Sequence, residues 1–245
     1  MSRFLLTAFC LLPASFWAQD ARQIIEKSQQ RSRSKSQHYE GSLQVIDPKH
    51  KISAKAWTFD RIGSFGDSKA ILRFTSPPEV KGVALLIVNH PDRASDQWMW
   101  TPAIERERRI ALQDRSTRFF GTDFSFEDLE ERDVNQFDYK LAGGDDMTWK
   151  IEARPRQTKS SQYTSSLLWV DKEKYVVTQI ENYARDKLVR RLNYRDIEKD
   201  ENIWTPRTVE VFDAARDSRT VMKLEKLQYN LPMKPEDFSI EALRR

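Results

Sequence analysis

The sequence predicts a mainly β protein, an antiparallel sheet curled into a barrel or partial barrel behind one N-terminal helix. Two observations predict it. From Tyr39 onward, segments rich in Val, Ile, Thr and aromatic residues recur at spacings of about ten residues, as successive short strands do. Turn chemistry separates them, as in "DPKH", "GGDD", "DKEK", "ARDK" and "AARDS", and the last four punctuate a meander of hairpin-paired strands. Glycine is scarce, with 7 in 245 residues, which argues against Gly-rich phosphate loops.

Taken in order, residues 1–18, "MSRFLLTAFCLLPASFWA", read as a secretory signal peptide rather than as part of the fold. Arg3 gives the positive start, Phe4 to Leu12 an apolar stretch too short to span a bilayer, and Pro13 a helix break. Cleavage is expected after Ala18, although Phe16 stands where a small residue is preferred. Cys10 is the one cysteine and lies inside the apolar stretch, so the mature chain has neither disulfide nor thiol chemistry. Phe9 before it is the wrong residue for a lipid-modified N-terminus.

Residues 19–245 read as a single domain, with no Pro/Gly-rich linker and no internal repeat. "DARQIIEKSQQ" is expected to be a helix capped by Asp20, with Gln23 in capping-box register and Ala21, Ile24, Ile25 and Ser28 on one face. Strands are expected at 41–46, 51–60, 68–74, 83–89, 96–101, 106–112, 137–142, 147–154, 162–170, 175–183, 187–196, 203–212 and 219–229. The continuous apolar run in "KGVALLIVN" suits a strand buried on both faces. Residues 113–132 look like an excursion from the sheet, and "KPEDFSIEALRR" like a turn and a short terminal helix.

That excursion holds "RSTRFFGTDFSFEDL", in which Phe119, Phe120, Phe124 and Phe126 alternate with Arg115, Arg118, Asp123, Glu127 and Asp128. Ser125 and Asp128 have capping-box spacing, and Phe124 and Leu129 the spacing of a hydrophobic staple. Gly121 can take backbone angles expected to be closed to Phe120, which marks it as a hinge. Two readings stand. The rings close one end of the core, or they form a lid over an apolar cavity, with the charges between them keeping the open lid soluble. On the second reading, Gly121→Pro slows ligand exchange more than it lowers thermal stability. Large residues also share strand faces: Trp57 with Phe59, Leu72 with Phe74, and Trp98 with Trp100, opposite Met99. These can wall a cavity or fill a core.

Catalytic chemistry is hard to find. His38, His50 and His90 lie beside turns and are not spaced as a metal pair. No zinc-protease, nucleophile-elbow or phosphate-loop motif occurs. "GGDD" reads as a hairpin turn and Asp128 as a cap, so the residues favour a binding protein over an enzyme. With 41 basic against 37 acidic residues, interspersed, the net charge of +4 does not suit nucleic acid.

"FTSPPEVKGVALLI", "WMWTPAIERERRI" and "RSTRFFGTDFSFEDL" together resemble, in that order and spacing, the outer-membrane lipoprotein-sorting protein family with a LolA-like fold. "LLWVDKEKYVVTQIENY", "IWTPRTVEVFD" and "PEDFS" fit its later strands, so the resemblance spans roughly residues 22–240. It implies an incomplete, strongly curved antiparallel barrel whose apolar inner face, partly covered by helices, receives acyl chains of lipids or lipoproteins. By the same resemblance the protein is a periplasmic, monomeric carrier without cofactor or metal. It hands its cargo between membranes or to an inner-membrane transporter, with the resistance-nodulation-division type as a candidate. The implied cavity and lid residues are Trp57, Phe59, Leu72, Phe74, Leu85, Ile87, Trp98, Trp100, Phe119, Phe120, Phe124 and Phe126, hinged at Gly121. No local motif places the family's functional arginine; Arg73, between Leu72 and Phe74, is a guess. A non-catalytic adaptor of the same fold, sensing lipidated proteins or docking on a transporter, is the alternative. A secreted carbohydrate-active enzyme binding sugar on Trp57, Trp98 and Trp100 is a third.

Overall fold

In the computed structural model, which describes residues 20–245, the chain opens with helix α1, Ala21–Arg31. Asp20 caps it by accepting a hydrogen bond from the Arg22 amide, and Ala21, Ile24, Ile25 and Ser28 form its buried face, as their spacing predicts. The signal-peptide reading of residues 1–18 lies outside the described residues.

Thirteen strands follow: β1 Ser36–Ile46, β2 Ile52–Ser64, β3 Asp67–Ser76, β4 Ala84–Val88, β5 Asp96–Thr101 and β6 Arg106–Arg109, then β7 Phe137–Gly144, β8 Thr148–Pro155, β9 Ser165–Asp171, β10 Val177–Ala184, β11 Lys187–Asp200, β12 Ile203–Asp213 and β13 Ser218–Tyr229. Each corresponds to an expected strand. Several boundaries move, among them the end of β2 (to Ser64), the start of β9 (to Ser165) and the end of β11 (to Asp200), and two shifts have a visible cause. β1 begins at Ser36, because the Asn230 and Leu231 backbone next to β13 extends the ladder through the Ser-rich run. β6 stops at Arg109, since Leu112–Asp114 turn into a 3-10 helix.

All thirteen strands join one antiparallel sheet in the order β6-β5-β4-β3-β2-β1-β13-β12-β11-β10-β9-β8-β7. Two meanders are thus zipped together where the last strand pairs with the first. The sheet does not close into a barrel, and β6 and β7 are its edges. The β6 edge is four residues long and fully charged, a composition that resists further pairing.

β4 is buried on both faces, as expected, because both faces are covered. Leu85 and Ile87 face an inner cluster with Trp57, Leu72 and Phe74. Ala84 and Leu86 face an outer cluster closed by Phe238, Ala242 and Leu243 of the C-terminal segment. That segment is two 3-10 turns, Pro235–Asp237 and Glu241–Arg244.

Candidate functional site

Residues 110–136 leave one edge of the sheet and return at the other, so they cross the inner face. At the centre of this crossing segment Arg118 and Ser125 pair as a β-bridge, and the Thr122 amide donates to the Phe119 carbonyl at 2.9 Å. Phe120 (φ +42°) and Gly121 (φ +73°) occupy the tip, giving a tight primed turn. Phe120 therefore adopts the left-handed angles that the sequence reserved for glycine. Its ring packs edge-on against Phe74 and Phe119, and that packing offsets the strain. The Ser125–Asp128 reciprocal cap forms as expected: the Asp128 amide donates to Ser125 Oγ (3.2 Å) and the Ser125 amide to Asp128 Oδ2 (2.7 Å). It starts a single 3-10 turn, Glu127–Leu129.

The charges between the rings do not face water. Asp123 is fully buried and accepts from Ser218 Oγ (2.6 Å), Thr220 Oγ1 (2.8 Å) and the Arg118 guanidinium (2.7 Å). Glu127 pairs with Arg132 at 2.9 Å, and Glu130 with Arg115. Asp128 accepts from the Tyr163 hydroxyl at 2.7 Å and lies 3.4 Å from Arg190, while Glu131 pairs with Arg61 of β2. Burial raises the Glu130 carboxyl, with Arg115 partly restoring it, and burial lowers Arg61 to about 10, still protonated at neutral pH. The segment is strapped down by ion pairs to the sheet and to its own neighbours. Breaking such a buried pair from one side costs roughly 3–5 kcal/mol.

The structure brings together most of the residues that the sequence singled out. Trp57, Phe59, Leu72, Phe74, Leu85 and Ile87 meet Phe119, Phe120 and Phe126 in one packed inner cluster, where Phe74 and Phe119 stack at 5.2 Å. Phe124 packs instead with Leu192 and Val211. Trp98 and Trp100 do not join them. They point to the outer face and pack under the C-terminal segment, while Met99 is the inward residue of β5. Strand alternation required the two tryptophans and Met99 to separate, but which face is inner follows from the sheet as a whole. Arg73 is also outward. It donates to the Leu243 and Ala242 carbonyls (3.0 and 3.1 Å), capping the last 3-10 turn, which corrects its reading as a ligand-handling arginine.

The open space lies beside that packed cluster, over the other half of the sheet. A cavity of about 380 Å³ has an apolar sheet wall that includes Tyr139, Leu168, Val177, Ile180, Leu192 and Tyr194. Facing it are Glu127, Asp128, Glu130, Glu131 and Arg132 of the crossing segment, and α1 closes a third side with Ile25, Ser28, Gln29 and Ser32. None of the twelve residues expected to line a cavity borders this one. Its wall residues sit at alternating positions of ordinary strands, and nothing in the sequence marks them or signals that the space before them is empty. On β9 and β10, Ser166 and Asn182 stand directly opposite each other, and Ser166 Oγ donates to Asn182 Oδ1 at 2.6 Å.

Among the described residues, no group of three or more His, Cys, Asp or Glu is arranged to hold a metal ion. No described helix is long and apolar enough to cross a membrane.

Residues 66–245 match the model of a protein family described as "Uncharacterized protein". The chain belongs to that family. No curated protein matches the sequence. Among solved structures, an outer membrane lipoprotein-sorting protein domain from Vibrio parahaemolyticus is 22% identical with a TM-score of 0.87, over 92% of this chain and 98% of that one. A DUF1329 family protein from Desulfovibrio piger is 24% identical at a TM-score of 0.85, covering 91% and 97%. A LolA superfamily protein from Nitrosomonas europaea is 18% identical at 0.72, covering 92% and 100%. The fold is therefore LolA-like, as the three ordered sequence segments imply. In this LolA-like sheet the crossing segment and α1 share the inner face, and the cavity lies between them.

Proposed function

We propose that the protein is a non-catalytic periplasmic carrier that takes an acyl chain of a lipid or lipoprotein into the 380 Å³ cavity and passes it to another membrane or to a membrane transporter. The observation that carries this reading is the cavity's composition and place: an apolar wall on the inner face of the sheet, left open between α1 and the crossing segment. Its volume falls within the ~300–1,000 Å³ of small-molecule sites. Binding needs only removal of apolar surface from water, about 25 cal/mol per Å², and release needs no bond to break. The likeness to a lipoprotein-sorting domain supports the same cargo class.

Of the cavity's boundaries, α1 is the more easily displaced. It is held by the buried contacts of Ala21, Ile24 and Ile25 and by neutral-acceptor hydrogen bonds such as Gln29 to the Arg132 carbonyl (2.8 Å), whereas the crossing segment is held by buried ion pairs. Entry past α1 therefore costs less than lifting the phenyl-bearing turn.

The test is native mass spectrometry of protein purified gently from periplasm, followed by lipid extraction. A stoichiometric acyl-bearing ligand, depleted in a Leu168→Trp variant whose indole intrudes into the cavity, is the expected result. A mass that stays apo after incubation with lipids and lipopeptides sinks the carrier reading and leaves the adaptor.

A further inference from the structure

Four cavity-facing polar groups have no hydrogen-bond partner among the described residues, and all can donate. Asn182 is only 3% exposed; its Oδ1 is occupied by Ser166, which leaves the side-chain NH2 as the unpartnered end. Ser28 of α1, 7% exposed, has an unpaired hydroxyl. The phenol hydroxyls of Tyr139 and Tyr194 are the other two, both kept protonated by burial. A donor facing the cavity costs about 1–3 kcal/mol if a purely apolar ligand shuts it off from solvent, so the site favours a ligand that brings acceptor oxygens.

The ionised groups on the facing wall narrow the choice. Four carboxylates border the cavity against one guanidinium, and that guanidinium, Arg132, is already paired with Glu127. The carboxylates are saturated from behind. Glu130 accepts from Arg115 and Gln97, Glu131 from Arg61, Ser68 and the Phe65 amide, Glu127 from Arg132, Ser161 and the Gln162 amide, and Asp128 from Ser125 and Tyr163. Their hydrogen bonds are filled without the ligand, and no unpaired cation remains on the cavity wall to receive an anion. A ligand carboxylate placed here gives up its hydration with no free cation to offset the loss, because each arginine near the wall is already paired with a carboxylate.

Resting on the carrier reading, we infer that the site takes acyl groups in uncharged ester or amide linkage, with the Asn182 side-chain NH2, held in place by Ser166, donating to the acyl carbonyl, and that it discriminates against free fatty acids. The hydrocarbon then lies on the sheet wall of Leu168, Ile180 and Leu192. Recognition falls on the linkage rather than on the head group. Asn182 is a specificity residue and not a catalytic one: nothing beside it activates a nucleophile toward the carbonyl.

The experiment is titration of the mature protein with monolauroylglycerol, laurate and dodecane, which share one chain length, at neutral pH. The ester is expected to bind about tenfold more tightly than laurate. Asn182→Leu is expected to weaken the ester roughly three- to tenfold, the equivalent of one hydrogen bond, while leaving dodecane unchanged. Ser166→Ala, which frees the amide to rotate without changing the wall's shape, weakens the ester in the same direction and serves if Asn182→Leu folds poorly. Laurate binding as tightly as the ester overturns the inference, as does an equal loss of ester and dodecane in the variants. Failure of all three ligands to bind the wild type rejects the carrier reading itself.

Discussion

Arg61 of β2 and Glu131 of the crossing segment form an ion pair between positions seventy residues apart, and the Arg61 side chain is fully buried. The same guanidinium donates to Ser34 Oγ, and the second Glu131 oxygen receives Ser68 and the Phe65 amide. The pair therefore joins the sheet, the segment after α1 and the β2–β3 turn. Glu131→Gln leaves a buried cation without its counter-ion and is expected to cost roughly 3–5 kcal/mol in chemical denaturation. Arg61→Met with Glu131→Leu, which removes both charges, should recover most of that loss. A double variant as unstable as the single one rules out charge imbalance as the cause.

Gly121 sits at φ +73°, and a Cβ built there meets nothing within 4 Å. Gly121→Ala thus carries only the left-handed backbone penalty, about 1–2 kcal/mol. Gly121→Pro needs φ near −65°, which the turn cannot supply, so it must open the Thr122-to-Phe119 hydrogen bond. Proline here is expected to lower thermal stability more than alanine, by melting curves on both variants. This replaces the expectation that proline acts mainly on ligand exchange.

The strands were legible in the sequence because their signals are local. Alternation, β-branched content and turn residues identify each strand without knowledge of its partners, and the Ser125–Asp128 cap is equally local. The cavity is not a local feature. Leu168, Ile180 and Tyr194 are inward residues of the same kind as Leu72 and Phe74; only the path of the crossing segment decides which set is covered by phenyl rings and which is left bare. That path in turn depends on contacts such as the Arg61–Glu131 ion pair and the Ser218-to-Asp123 hydrogen bond, whose partners no short window contains. Trp98 and Trp100 went to the wrong face for a related reason. Their shared parity was readable, but the C-terminal segment that covers them lies more than a hundred residues away.

His38 lies between Asp60 (2.7 Å) and Glu40 (3.2 Å) on adjacent strands. Desolvation lowers its pKa, but its hydrogen bonds to the two carboxylates outweigh that, and the result is raised above 6.5. A folded-state value above the unfolded one means that protonation favours folding. The contribution is complete below about pH 6.5 and fades as pH rises through the folded value. Denaturation midpoints at pH 5.5 and 8.5 should therefore differ in the wild type, and that difference should shrink in His38→Gln. An unchanged difference assigns the pH dependence to other groups.

Arg73 holds the C-terminal turn over Trp98 and Trp100 through two carbonyls. Arg73→Met removes charged hydrogen bonds of roughly 1.5–3 kcal/mol and should loosen that turn. The expected signs are faster proteolysis within residues 233–245 and a red-shifted tryptophan emission, with ligand uptake unchanged because the cavity is on the other face. Loss of uptake with an intact tail restores Arg73 to a ligand-handling role.

The packed phenyl cluster and the cavity make opposite predictions for substitution. Phe119 is 2% exposed and stacked on Phe74, so Phe119→Ala empties space inside a filled core and is expected to cost about 3–5 kcal/mol. Its effect on acyl-ligand affinity, measured well below the melting temperature, should be small. Leu168 borders open volume, so Leu168→Trp can place its added atoms there without displacing neighbours; it should alter stability by less than about 1.5 kcal/mol while weakening uptake. If Phe119→Ala weakens binding and Leu168→Trp does not, the ligand site lies under the phenyl rings after all, and the space beside them is only a packing gap. The reverse pattern assigns binding to the half of the sheet from β7 to β11 and leaves the rings as the rigid partition that keeps the cavity to one side.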